Sequence, residues 1–205
     1  TCALPIWFVK EVKPRMRGRC FIIRWADDFI IGCELESDAR RIMAVLPKRF
    51  GRYGLSLHPE KTSIIRFKRP RSGGGGKDRQ NGTIDFVGFT FYWAKSYRGS
   101  GVIKKKTARR RLARFMRVLW RWCKENMHEP IQEQHQALCV KLRGWFRYHG
   151  VRNNYRALKA VFACAGRAWR YWLSRRSSKG TVNWEKFDRL CLSYPLPRPR
   201  IIHNI

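Results

Sequence analysis

Asp27 and Asp28 stand side by side in "RWADDFIIG", residues 24–32, within a chain whose formal net charge is +31. Two adjacent carboxylates repel each other, and holding both ionised on a tight turn costs stability unless cations neutralise them. Mg²⁺ suits that task, because it takes one or two carboxylates and completes its shell with water and substrate phosphates. Two such ions a few Å apart activate a hydroxyl nucleophile and stabilise leaving pyrophosphate, which is nucleotidyl-transfer chemistry. A plainer reading stands beside this one: Asp favours turn geometry by itself, so an Asp pair can mark a turn and nothing more. The elements around the pair decide its weight.

Residues 20–34 are apolar and rich in Phe and Ile, interrupted only by Ala26, Asp27 and Asp28, which predicts two short strands with the carboxylates at an exposed hairpin tip. Ser37 and Asp38 offer an N-cap to a helix that places Ile42, Val45, Leu46 and Phe50 on one face. Pro47 predicts a kink or break in it, and Gly51 and Gly54 its end. "LSLHPEKTSIIRF" (55–67) and "TIDFVGFTFYW" (83–93) alternate like strands on either side of the low-complexity loop "RSGGGGKDRQNG" (71–82). The second half changes period. In "KKKTARRRLARFMRVLWRWCKEN" (104–126), Leu112, Phe115, Met116, Leu119 and Cys123 recur at helical spacing opposite a face of Arg and Lys. Further helices are expected over 131–149, with Leu138, Leu142, Trp145 and Phe146 aligned and Gly150 as C-cap, and over 155–175, through Leu158, Val161, Phe162, Trp169, Trp172 and Leu173. Trp120, Trp145, Trp169 and Trp172 follow the buried faces and are assigned mainly to core; the tail "YPLPRPRIIHNI" reads as extended.

The chain's 205 residues suffice for one sizeable core or two small ones. Lys and Arg number 45 against 14 Asp and Glu, and the sequence pI is near 11.0, so a polyanionic partner is expected. With 44% hydrophobic residues and nine tryptophans, this is no disordered basic tail. Seven cysteines form no CxxC pair and have no His at zinc spacing, which favours a reducing, cytoplasmic compartment over a zinc or disulfide framework. No apolar run approaches the ~20 residues of a membrane span, and the opening residues lack a signal peptide's order.

Three stretches in order resemble reverse transcriptases: "RWADDFIIG" the aromatic-Ala-Asp-Asp signature, "YGLSLHPEKTSIIRF" the motif after it, and "IDFVGFTF" the strand segment before the thumb. "LRGWFRYHGVRNNYRAL", "WRYWLSRRSSKGTVNWEKF" and "YPLPRPRI" resemble the thumb, or maturase region, of group II intron-encoded proteins. The resemblance implies an α+β fold: the C-terminal part of a right-hand polymerase palm over 1–95, then an α-helical thumb bundle over 96–205. It implies that Asp27 and Asp28 are Mg²⁺ ligands, with Trp25, where the family has Tyr or Phe, and Ala26 beside primer and nucleotide. Packing under the hairpin is the alternative role for Trp25. Lys61 would sit near the incoming deoxynucleoside triphosphate as electrostatic helper or proton donor, with a solvated turn lysine as its alternative.

The palm of this family also carries an aspartate on an upstream strand, and too few residues precede Trp25 to hold it. Asp78, Asp85, Glu34 and Glu60 read as surface or turn acids. The expectation is therefore a portion of a larger enzyme, without complete catalytic geometry and without a zinc-bearing endonuclease domain. Lys104, Lys105, Lys106, Arg109, Arg110, Arg111, Arg114 and Arg117 are expected on the first thumb helix as phosphate contacts. Arg143, Arg147, Arg152, Asn153, Asn154 and Arg156 are second candidates for intron RNA. Partners would be intron RNA, an RNA template and the RNA–DNA hybrid, held by backbone and shape. Two further readings stand: a non-catalytic, maturase-like RNA-binding module, and a basic ribosome-associated protein, which leaves "WADD" unexplained.

Overall fold

A computed structural model describes residues 3–70, 81–177 and 180–204. The chain divides into two units, Thr1–Val87 with Lys95–Gly101 and Gly88–Ala94 with Val102–Ile205.

In the first unit, helix α1 (Ala3–Trp7) runs into a π-helical turn (Phe8–Val12) and a 3-10 turn (Lys13–Arg15). Strand β1 (Cys20–Trp25) then pairs antiparallel with β2 (Asp28–Cys33), in register from Cys20 opposite Cys33 to Trp25 opposite Asp28. Side chains alternate across β1: Cys20 and Ile22 turn to the core, whereas Phe21, Ile23 and Trp25 face outward. Phe21 lies over Gly32 on the facing strand, so closely that a Cβ there would meet its ring, and the aromatic covers the bare backbone. Helix α2 (Glu36–Gly51) packs Ile42 and Leu46 against Trp7, Phe8, Val12 and Cys20, and Phe50 stacks on Phe29 at 5.9 Å.

Several expectations need correction here. The N-cap of α2 is Leu35, so Asp38 lies inside the first turn. Val45 is exposed, since the buried stripe centres on Ile42 and Leu46. Pro47 does not break the helix; it costs one hydrogen bond, and the burial of Leu46 beside it holds the last turn. Residues 55–67 form no strand: 59–61 turn, and beyond them the Asn81 side chain bonds the backbone of Lys68 (3.0 and 2.6 Å), replacing a ladder. The run 83–93 is two strands, β3 (Ile84–Phe86) and β4 (Phe89–Lys95), because Val87 (φ +49°) and Gly88 (φ +78°) take left-handed backbone that no strand continues through. Most of the low-complexity loop, residues 71–80, and Asp78 with it, lies outside the described residues.

In the second unit, β5 (Gly101–Thr107) neighbours β4. Lys104, Lys105 and Lys106 therefore lie on this strand and not on the helix, which starts only after Ala108. Helices α3 (Arg109–Glu125), α4 (Ile131–His149), α5 (Tyr155–Leu173) and α6 (Trp184–Ser193) follow. Their shared core contains Leu119, Leu138, Leu142, Phe146, Leu158, Val161, Trp169 and Phe187. Trp145 and Trp169 are buried and Trp172 half-buried, but Trp120 is 37% exposed, against Tyr171. Helix α6 has no counterpart among the expected helices, although Asn183 caps it by accepting from the Lys186 N–H (2.9 Å). The tail is extended over 195–204 and turns back, with the Ile202 and His203 N–H groups donating to the Gly150 carbonyl (2.7 and 2.9 Å).

Candidate active site and nucleic-acid surface

The register of β1 and β2 leaves only Ala26 and Asp27 in the hairpin loop. Ala26 takes φ +53°, as the first loop position of a II′-type connection requires, and Arg24 Nε donates to its carbonyl at 2.7 Å. Asp27 and Asp28 are both exposed at this tip, Asp28 on the ladder and Asp27 in the loop. Trp25 is 66% exposed, which removes packing under the hairpin as its role and leaves the ring in solvent beside the carboxylates. Lys61 is exposed on the separate turn 59–61 of the same unit, its N–H donating to the His58 carbonyl at 3.2 Å. The hairpin thus brings Trp25, Ala26, Asp27 and Asp28 together.

Two adjacent, solvent-facing carboxylates match what Mg²⁺ takes from protein when phosphate oxygens and water supply the rest. Among the described residues no group of three or more His, Cys, Asp and Glu gathers around a common point. Glu34 is engaged with Arg19 (3.2 Å), whose hydrogen bond and charge hold its carboxyl below the ordinary range, and Asp85 and Glu60 are exposed.

Asp38, expected only as an N-cap candidate, is the acid that holds the hairpin's base. Asp38 is 0% exposed, and its Oδ2 accepts from the backbone N–H groups of Arg17 (3.0 Å) and Gly18 (2.8 Å), just ahead of β1. Gly18 is where the chain passes close to Leu35: a Cβ would lie 3.0 Å from its Cγ. Asp38 therefore ties the lead into β1 to the start of α2. Nothing local marks this, because an acid in a first helical turn is ordinarily a solvated dipole partner.

Residues 4–91 match the family model of reverse transcriptase (RNA-dependent DNA polymerase). That stretch holds the hairpin with both aspartates, α2, the Lys61 turn and β3, and it ends within β4. Reverse transcriptases copy RNA into DNA, bind nucleic-acid templates and use divalent metal ions. No curated protein matches the chain. No helix among the described residues is long and apolar enough to cross a membrane.

Beyond the reverse transcriptase match, Arg109, Arg110, Arg111, Arg114 and Arg117 are all exposed on α3, as are Arg143, Arg147, Arg152, Asn153 and Arg156 around the end of α4. On β5, Lys106 is exposed, its ammonium 5.1 Å from the Tyr92 ring centre, and Lys104 and Lys105 are half-buried. The first turn of α3 holds no acid, and no side chain caps it. Asn154 departs from expectation. It is 1% exposed; its Oδ1 accepts from the Thr107 N–H, and its Nδ2 donates to Thr107 Oγ1 and to the His149 carbonyl, each at 2.8 Å. A residue so enclosed joins β5 to the α4–α5 turn and does not reach RNA. His149 Nδ1 lies 3.3 Å from Thr107 Oγ1, and burial, reinforced by the Arg111 charge, lowers its pKa to about 4.

Proposed function

We propose that this chain is the palm hairpin and thumb of a group II intron-type reverse transcriptase and maturase, acting on intron RNA, an RNA template and the RNA–DNA hybrid. The carrying observation is the aromatic-Ala-Asp-Asp sequence on a two-residue hairpin loop, both carboxylates solvent-facing, inside a matched reverse transcriptase segment. Asp27 and Asp28 would hold Mg²⁺, which when bound supplies charge neutralisation at the transferring phosphoryl group. Arg24 fixes the loop that carries Asp27, and Trp25 offers an open aromatic face beside it. Lys61 would meet triphosphate. The exposed arginines of α3 supply sequence-independent phosphate contacts.

Mg²⁺-dependent primer extension on an RNA template, with Asp27→Ala and Asp28→Ala alongside, tests the catalytic part. Extension that either substitution abolishes supports it, and extension indifferent to both sinks it. A second reading, a non-catalytic RNA-binding module, draws on the want of a third acid at the tip among the described residues. RNA binding lost in an Arg110→Ala, Arg111→Ala double variant, with no extension by the parent chain, would favour it.

A further inference from the structure

Within the second unit, a cleft of about 560 Å³ opens between β4, β5, the last turns of α4 and the returning tail. That volume lies within the ~300–1,000 Å³ of small-ligand sites. Its walls are aromatic, Phe89, Phe91 and Tyr148, and its cations are Lys105 and Arg147; no acid lines it. The aromatic platform is already assembled: the Phe89 and Tyr148 rings stack at 5.7 Å with 23° between their planes, and Phe89 also meets the His149 ring at 5.1 Å.

Gly144 is the telling residue. It sits inside α4, where glycine is destabilising relative to alanine. No positive φ calls for it, and a Cβ added there would meet nothing within 4 Å. Neither backbone strain nor packing against described atoms accounts for it. What it does is leave one wall of the cleft without a side chain.

We propose that this cleft receives one unpaired RNA base that continues the Phe89–Tyr148 stack, with Arg147 and Lys105 meeting its flanking phosphates and Gly144 leaving room for the ring. This rests on the nucleic-acid reading above and adds to it a site for single-stranded RNA. An aromatic stack with a cationic rim fits a nucleotide, since every base has a π-face and every linkage an anion. It fits a paired base poorly, because a paired base's faces are already covered by its neighbours in the stack.

The test is fluorescence anisotropy of the full chain with labelled single-stranded RNA and, separately, with a fully paired RNA–DNA duplex, over a salt series. Gly144→Leu puts a side chain into the cleft from a position whose Cβ meets nothing within 4 Å, and Tyr148→Ala removes one ring of the stack. Each should weaken single-strand binding by about tenfold and leave duplex binding unchanged. The plot of log affinity against log salt should shift down in parallel, because no phosphate contact is removed. Arg110→Ala with Arg111→Ala should instead flatten that plot for both ligands. Single-strand and duplex affinities falling together in Gly144→Leu, or neither changing, would overturn the base site. Failure of the arginine pair to alter either ligand would overturn the nucleic-acid reading instead. A selective response to an acidic aromatic peptide and to no RNA would assign the cleft to protein. Circular dichroism of both cleft variants keeps an unfolded chain from passing as a positive result.

Discussion

Asp38 and His149 are the two buried titratable side chains on which the fold leans hardest, and they fail in different ways. Asp38 accepts short hydrogen bonds from two backbone N–H groups, those of Arg17 and Gly18. Asp38→Ala should lower stability by about 2–4 kcal/mol, read from urea unfolding, because both donors are left in a closed site. His149 responds to pH. Its folded pKa near 4 lies below the ordinary 6.5, so the unfolded chain binds the extra proton between those values. Stability should therefore be intact above pH 6.5, fall as pH drops toward 4, and be lower by about 3 kcal/mol below that. His149→Gln should flatten this part of the profile; an unchanged slope would show that other groups carry it. Neither role was legible from type and spacing, since both depend on partners far along the chain, 20 and 21 residues away for Asp38 and 42 for His149.

At the scale of elements, periodicity carried the most information where burial is one-sided. Helix α4 was expected over 131–149 and is Ile131–His149, because Leu138, Leu142, Trp145 and Phe146 bury on a single stripe. The hairpin was legible for a related reason: two apolar runs flank a stretch that cannot be buried. What failed was backbone chemistry between elements. Val87 in left-handed backbone splits one alternating run into two strands, and a β-branched residue there gives no warning of it. The lysine run 104–106 continues the charge pattern of α3 but belongs to a strand, since charge alone carries no period. Asn154 in "RNN" looked like a phosphate contact and is a buried splice between β5 and the α4–α5 turn. Asn154→Ala should cost about 2–3 kcal/mol of stability and leave the salt dependence of RNA binding unchanged; a reduced salt slope would return it to the surface.

For the whole molecule, charge is the dominant quantity, and its signs pull in opposite directions. RNA affinity should fall steeply as salt rises, with a slope near −0.7 to −0.9 for each phosphate neutralised. The thermal midpoint of the free protein should rise over the same salt range. The reason lies in α3, where Arg109, Arg110 and Arg111 occupy a helix start that the peptide dipole already makes positive, with Arg114 one turn further on. Arg110→Glu should accordingly raise the melting temperature by a few degrees while weakening RNA binding; a variant that melts lower would show that the arginine is structurally required. This helix is locally frustrated: the residues that suit it to a polyanion are those that its own backbone field disfavours. On the proposed role of α3, the unbound chain is the strained form, and phosphate seated on the helix would complete it electrostatically. Melting temperature becomes a gauge of occupancy, rising with each anion that settles on α3.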